Sequence, residues 1–101
     1  TNPMIAIDIK FTREGLSIPG ESGLFVNLAK SIANDYGFTC SAASPLWSSD
    51  ILLKFRKSDE ITTISYCNFL DDLESLARLH RYCSELTIEP SNETQPLKIN
   101  P

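Results

Sequence analysis

Every second side chain near the start of the chain is apolar, which predicts that the chain opens with a β-strand. The apolar positions are Ile5, Ile7, Ile9 and Phe11, with polar or small residues between them. A period of two with several β-branched residues is typical of a strand that buries one face. Three glycines and Pro19 follow within residues 15–23, where the pattern indicates a loop.

The pattern then changes to steps of three and four residues, which predicts a first helix after Ser22. The apolar positions are Phe25, Leu28, Ala29, Ile32, Ala33 and Tyr36. Polar residues fill the opposite side, as expected for a helix that lies on a sheet. Ser22 is a suitable N-cap, and Gly37 can adopt the left-handed conformation that ends a helix.

Three further strands are expected in the middle of the chain. Residues 38–43 form a short strand, and a loop containing Pro45 leads to a hairpin whose first strand runs from Ile51 to Arg56. The turn lies around Ser58 and Asp59, and the return strand runs from about Ile61 to Cys67. In this register both hairpin strands turn their apolar side chains to one face.

A second helix is predicted from Asn68 to about Leu86, with acidic residues near its positive end. Its apolar residues are Leu70, Leu73, Leu76, Ala77, Leu79, Cys83 and Leu86. They span roughly half of the helix circumference, which is wider than the stripe of about 100° needed against one sheet. The surplus indicates contact with the first helix or, in a homo-oligomer, with another chain.

These elements predict an α+β fold in the order β-α-β-β-β-α. The economical arrangement is a two-layer sandwich, with a mostly antiparallel sheet and both helices on one face. With 101 residues in all, residues 1–89 are expected to form a single domain. The prolines and polar residues of positions 90–101 favour an extended or mobile tail.

The charge balance argues against a nucleic-acid partner. Thirteen acidic and nine basic residues give a net charge of −4, and the basic residues are scattered. A basic protein suits this surface better. The three cysteines lack a disulfide or C-x-x-C pattern, and no apolar run is long enough for a signal peptide or a membrane span, so a cytoplasmic location without membrane contact is expected.

The segment from Gly15 to Ser22 has the glycine spacing of a phosphate-binding loop but lacks its decisive residue. That motif needs Lys before its final Ser, and here Glu21 occupies this position. Its negative charge would oppose nucleotide phosphates, whereas it is favourable at the positive end of a helix. A flexible connection therefore explains the segment better than a nucleotide site.

His80 is the only histidine, and it falls inside the apolar arc of the predicted second helix, one turn from Cys83. A Cys and a His at this spacing can be a nucleophile with its base, or half of a metal site. A zinc ion would need two more ligands that the pattern does not supply, so neither a metal nor a cofactor is expected. Burial in the core is the alternative for both residues.

Several other residues are candidates for a partner-binding surface. Trp47 lies in a Ser-rich loop, and an exposed aromatic residue can anchor a protein partner or cover the edge of the core. The acids at the start of the second helix point about 100° apart, so they suit a partner or helix capping better than an ion. The full candidate set is Trp47, Leu52, Lys54, Arg56, Asp59, Glu60, Asp71, Asp72 and Glu74.

Two functions agree with these features. The first is a non-catalytic protein-binding domain, for example a small acidic inhibitor or immunity-type protein that neutralises a basic toxin or nuclease. Its basis is the small size, the negative charge and the lack of a convergent catalytic set. The alternative is a small enzyme, or a subunit of an oligomeric enzyme, that uses His80 with a cysteine or nearby carboxylates. The sequence favours the first of these hypotheses.

Overall fold

The computed structural model of the chain describes residues 4–16, 18–43, 50–87 and 99–100. Within these residues it contains two helices, α1 (Glu21–Asp35) and α2 (Thr63–Leu79). The strands in the same residues are β1 (Ile5–Arg13), β2 (Thr39–Ala43), β3 (Ile51–Lys57), β4 (Ile61–Thr62), β5 (Tyr82–Thr87) and β6 (Ile99–Asn100).

Four strands form one antiparallel sheet in the order β2-β3-β1-β5. β1 is therefore a central strand, although it comes first in the chain. α1 connects β1 to β2, and β3 lies between these two strands in the sheet. α2 lies on the connection from β3 to β5, and β1 lies between those two. This is the split β-α-β arrangement of ferredoxin-like folds. β4 and β6 form a separate, parallel pair.

The alternation in β1 determines which face of the sheet is buried. Ile7 lies opposite Phe55 and Ile9 opposite Leu53, and the side chains of all four point into the core. α1 contributes Phe25, Ala29 and Ala33 to the same core, and α2 contributes Phe69, Leu73 and Ala77. Both helices thus cover one face, as helical spacing of their apolar residues requires. The predicted α+β class and two-layer architecture are confirmed.

The predicted return strand of the hairpin is wrong beyond Thr62. Residues 63–67 form the first turns of α2, and Ile61 and Thr62 pair with β6 instead of β3. The hydroxyl of Thr62 accepts a hydrogen bond from the backbone N–H of Ser65 at 3.1 Å, which caps the helix. Ile64, which the alternation placed on the buried face, is 72% exposed.

The predicted end of the second helix is also wrong, because α2 ends at Leu79 and not near Leu86. Arg81 adopts a positive φ of 62° and turns the chain into β5. Cys83 and Leu86 therefore belong to a strand, and part of the surplus apolar width attributed to the helix disappears. β5, which completes the four-stranded sheet beside β1, was not predicted.

Two expectations fall largely outside the described residues. Trp47 lies in the segment 44–49, and most of the predicted tail lies in 88–98. Residues 99 and 100 are described, and they form β6 beside β4. No helix in the described part of the chain is both long and apolar enough to cross a bilayer.

Candidate functional site

The end of β1 carries a charged side chain on the buried face of the sheet. Arg13 continues the inward-facing series after Ile9 and Phe11, and its side chain is only 6% exposed. A buried guanidinium is costly unless it is paired, so its surroundings must supply acceptors. Because α1 starts and α2 ends near this end of β1, both helices can supply them.

Each helix contributes one side chain at its terminus. Glu21 is the first residue of α1, and it follows Gly20, which has a φ of 81° and caps the helix without a side-chain hydrogen bond. A carboxylate at this position is favoured by the positive end of the helix. His80 is the C-cap of α2, so the turn at Arg81 determines where its ring lies.

These three residues meet in what we call the polar cluster, Arg13, Glu21 and His80. The Nδ1 atom of His80 lies 2.5 Å from the Oε1 atom of Glu21. A guanidinium nitrogen of Arg13 lies 3.8 Å from the same oxygen and donates to the carbonyl oxygen of His80 at 3.0 Å. The side chains of Glu21 and His80 are 23% and 10% exposed. The cluster is therefore a largely buried ion pair with a histidine attached.

Aromatic rings enclose one side of the polar cluster. The ring of Phe25 lies 5.9 Å from that of His80 and stacks on Tyr82 at 4.5 Å. The guanidinium of Arg13 lies 5.6 Å from the centre of the Tyr82 ring, a cation–π contact. Low local polarity strengthens the hydrogen bonds among the three charged or polar groups.

The contact with Glu21 determines what the imidazole can do. An ionised carboxylate only accepts hydrogen bonds, so Nδ1 of His80 is the donor in this contact and Nε2 is the ring nitrogen that the contact does not use. Within the described part of the chain, Nε2 of His80 has no hydrogen-bond partner. A histidine oriented by a carboxylate, with the other nitrogen available, is the arrangement of a general base.

Arg13 is incompletely satisfied. Its Nε atom is buried, and no acceptor in the described residues bonds to it. A buried unpaired donor costs roughly 1–3 kcal/mol, and such groups are uncommon in native proteins. Arg13 therefore has one buried nitrogen without a partner in the described residues, although its other groups contact Glu21, Tyr82 and the carbonyl oxygen of His80.

An apolar cavity of about 170 Å³ lies between α2 and the β1 and β5 strands. Its lining consists of Ile9, Phe11, Leu70, Leu73, Glu74, Ser84 and Leu86. Phe11 pairs with Ser84 at one end of the cavity, and the next inward-facing pair along the sheet is Arg13 with Tyr82. The cavity and the polar cluster therefore occupy neighbouring layers of the same sheet face, about 7 Å apart.

The predicted pair of His80 and Cys83 does not form. His80 contacts Glu21, whereas the thiol of Cys83 donates to the carboxylate of Glu14. This hydrogen bond is the main reason that the pKa of Cys83 is raised above its usual value. Cys83 is exposed on the sheet face that points away from the helices.

The predicted partner-binding residues are distributed over both layers of the fold. Leu52, Lys54 and Arg56 lie half-buried on the outer sheet face, where Arg56 pairs with Asp8 at 2.7 Å. The other described members of the set are exposed, either after β3 or on α2: Asp59, Glu60, Asp71, Asp72 and Glu74.

Two of the α2 acids have partners within the chain. Asp72 accepts a hydrogen bond from the hydroxyl of Tyr36 at 2.7 Å, which is the main cause of the raised pKa of Tyr36. Glu74 pairs with Arg78 one turn along the helix. These acids therefore stabilise α2 and its contact with α1. No group of three His, Cys, Asp or Glu side chains suited to a metal ion occurs among residues 4–16, 18–43, 50–87 and 99–100.

Sequence reasoning missed two of the three residues in the polar cluster. Glu21 was interpreted through the failed phosphate-loop motif and the helix end, and Arg13 only as one of several scattered basic residues. One signal could have identified Arg13. The alternation of β1, continued to position 13, places a charged residue on the buried face beside Phe11.

Comparison with known proteins identifies solved structures of an enzyme that has the same fold. No family model matches the sequence, and no curated protein matches it. The chain resembles the solved structure of SnoaB, a cofactor-independent oxygenase from Streptomyces nogalater, and that of a point mutant of SnoaB. In both cases the TM-score is 0.66 at 15% sequence identity, over 93% of this chain and 98% of the other.

This likeness contradicts the hypothesis of a non-catalytic inhibitor or immunity-type protein. Two solved structures that share the fold over nearly their whole length are those of an oxygenase and its mutant, not of toxin inhibitors. The alternative of a small enzyme that uses His80 with a cysteine or nearby carboxylates fits these findings better. The carboxylate that contacts His80 is Glu21, which that hypothesis did not name, and the thiol of Cys83 contacts Glu14.

Proposed function

We propose that the chain is a small enzyme in which His80, oriented by Glu21, removes a proton from a small and largely apolar substrate. The observation that carries this proposal is the 2.5 Å contact between Nδ1 of His80 and Glu21, with Nε2 unpartnered in the described residues. The neighbouring apolar cavity supports it, because it offers space for substrate in the adjacent layer of the sheet.

The reaction class that we propose is oxygenation without a cofactor, by analogy with the oxygenase that shares the fold. Such an enzyme must draw electrons for dioxygen from the substrate itself. A phenol or an acidic C–H compound becomes a much better electron donor when it is deprotonated. Proton removal by His80 is thus the step that the polar cluster is equipped to perform.

Each member of the polar cluster has a separate part in that step. Nε2 of His80 accepts the proton, and the carboxylate of Glu21 stabilises the imidazolium that results. Arg13 pairs with the Glu21 carboxylate at 3.8 Å, and its hydrogen bond to the carbonyl oxygen of His80 holds the end of α2. The rings of Phe25 and Tyr82 keep this side of the cluster apolar.

Oxygen uptake tests the proposal directly. Wild-type protein is mixed with a panel of phenols and 1,3-dicarbonyl compounds, and dioxygen consumption is followed with an electrode. We expect His80→Gln to lower turnover by about 10²–10⁴-fold, the usual contribution of a general base. Lys10→Gln, a change in an exposed ion pair on the outer face of the sheet, serves as the control and should retain activity.

A second measurement does not depend on finding the substrate. Because His80 is the only histidine, its ¹⁵N resonances are unambiguous, and they report which ring nitrogen carries the proton. We expect the Nδ1–H form in the wild type and a mixture of tautomers in Glu21→Gln. A folded wild type that shows the Nε2–H form, or a His80→Gln variant with undiminished turnover, would contradict the proposed function.

A further inference from the structure

We infer that the apolar cavity between α2 and β5 binds a single aromatic ring that carries a hydroxyl group. That this ring belongs to the substrate of His80 rests on the proposed function. The binding of such a ring to the cavity does not, so the two can be tested separately.

The shape of the cavity supports an apolar ligand that enters from the edge of the sheet. Its closed side is formed by Ile9, Phe11 and Leu73, which are at most 4% exposed. Its open side is formed by Ser84 and Leu86 on β5, an edge strand, and both residues are exposed. A ring that enters between β5 and α2 therefore places its body against buried apolar side chains.

The volume of the cavity limits the ligand to one ring. Cavities of about 150 Å³ lined by Leu, Ile and Phe stay dry and bind benzene. This cavity has a volume of about 170 Å³ and a comparable lining, which leaves room for one substituent on the ring but not for a second fused ring.

The polar atoms at the cavity lie on its open side and match a hydroxyl group. Ser84 supplies a hydroxyl, and Glu74 supplies a carboxylate whose Oε1 atom is held by Arg78 at 2.7 Å. A phenolic hydroxyl can donate to the carboxylate and accept from the serine. A carboxylated ring would instead meet Glu74 with like charge, so monocyclic phenols are the ligand class that fits.

The cavity is also placed where its ligand would extend toward the polar cluster. Leu73 and His80 are seven residues apart, so they lie on nearly the same side of α2, about two turns or 10 Å apart. On β5, Ser84 is followed on the inward face by Tyr82, which packs against Phe25 and Arg13. The hydroxyl that binds Ser84 and Glu74 is held away from His80, so the proton that His80 removes belongs to a substituent that extends from the ring toward the polar cluster.

The probe is phenol itself, titrated into the ¹⁵N- and methyl-labelled 101-residue chain. We expect saturable shifts of the Leu70 and Leu73 methyl resonances and intermolecular NOEs from these methyls to the phenol ring. Cyclohexanol and 2-naphthol, which differ in flatness and in ring number, should bind more weakly.

Matched variants locate the site. Leu70→Phe fills the cavity and should weaken phenol binding by about tenfold or more, because the ring loses most of its apolar contacts. Leu79→Phe makes the same change at a residue of α2 that is 78% exposed, and it should leave binding unchanged. Ser84→Ala removes one hydrogen bond and should weaken binding by about fivefold.

Three results would overturn the inference. Equal binding by Leu70→Phe and Leu79→Phe would show a surface association, and 2-naphthol binding as tightly as phenol would refute the single-ring limit. In the free protein, NOEs from the Leu73 methyls to residues 88–98, together with no effect of phenol, would show that the chain's own segment occupies the cavity. Each of these outcomes leaves the tautomer of His80 unaffected, so the proposed function is judged independently.

Discussion

Glu21 shows how one residue can exclude one chemistry and supply another. Its carboxylate stands where a phosphate-binding loop needs a lysine, and this excludes the nucleotide site that the glycine spacing suggests. In the structure the same carboxylate lies 2.5 Å from His80, at the positive end of α1. A favourable helix-end charge therefore also serves to orient an imidazole.

Arg13 is predicted to stabilise the fold through its pairing with Glu21 and the end of α2. Arg13→Met keeps most of the side-chain volume but leaves the Glu21 carboxylate without its cation and the His80 carbonyl without its donor. We expect the free energy of unfolding to fall by about 1–3 kcal/mol, measured by urea denaturation.

Arg78→Met is the matched control for this experiment. Arg78 also pairs with a glutamate, but its side chain is 77% exposed and that of Glu74 is 51% exposed. Exposed pairs at this spacing contribute only about 0.3–0.5 kcal/mol. Equal losses in the two variants would show that burial of the Arg13 pair adds nothing to stability.

Cys83 is predicted to react faster once Glu14 loses its charge. The thiol donates to Glu14, which favours the protonated form and raises the pKa of Cys83. In Glu14→Gln this pKa should fall, so more thiolate is present at pH 8 and alkylation by iodoacetamide accelerates. Cys67, which is exposed on α2, is the internal reference, and an unchanged ratio of the two rates would contradict the prediction.

At the scale of the elements, sequence patterns identified β1, α1 and β3 because their apolar periods are long. The predicted N-cap of α1 at Ser22 is wrong, because the helix begins at Glu21 after Gly20. Gly37 follows the C-cap of α1 and has a φ of 80°, as expected of a glycine that ends a helix. The ends of α2 were misplaced for opposite reasons. At its start, Thr62, Ile64 and Tyr66 alternate like a strand, and at its end no glycine or proline marks the stop.

The cap at Thr62 is predicted to contribute to the choice of helix over strand for residues 63–67. Thr62→Ala removes the acceptor for the N–H of Ser65, so the free energy of unfolding should fall by about 1 kcal/mol. Thr62→Ser keeps the hydroxyl and should lose much less. Thermal unfolding of the two variants, followed by circular dichroism, gives the comparison, and indistinguishable melting curves would mean that the cap is dispensable.

Sequence reasoning identified only part of the candidate site, again because the end of α2 was misplaced. His80 could be singled out as the only histidine on an apolar helical arc. Its partner could not, because Glu21 is 59 positions away and the contact depends on where α2 ends relative to the start of α1. Because the end of α2 was predicted too late, His80 was paired with Cys83 instead. In the structure the turn at Arg81 leads into β5, where Cys83 lies on the outer face of the sheet.

At the scale of the whole molecule, Phe69 connects the layers of the fold. Its ring stacks on Phe38 at 4.5 Å and meets Phe55 and Tyr36 at 5.3 and 5.4 Å. It thereby joins α2 to β3 and to the segment that follows α1.

Phe69→Ala is therefore predicted to lower the free energy of unfolding by about 3–5 kcal/mol, through lost contacts and the cavity that remains. Ile64→Ala is the control on the same helix, since Ile64 is 72% exposed, and it should have little effect. Both are measured by urea denaturation. A loss below 1 kcal/mol for Phe69→Ala, within the range of surface substitutions, would show that the four rings are not a common core.

The central position of β1 also has a consequence for how the protein is made. Of the four strands in the main sheet, β1 is synthesised first, and its neighbours β3 and β5 are both synthesised later. Its last pairing waits for Thr87, which follows Arg13 by roughly 4–15 s at translation rates of about 5–20 residues per second. During that interval an apolar strand has unpaired edges, so the nascent chain should need chaperone protection until β5 emerges.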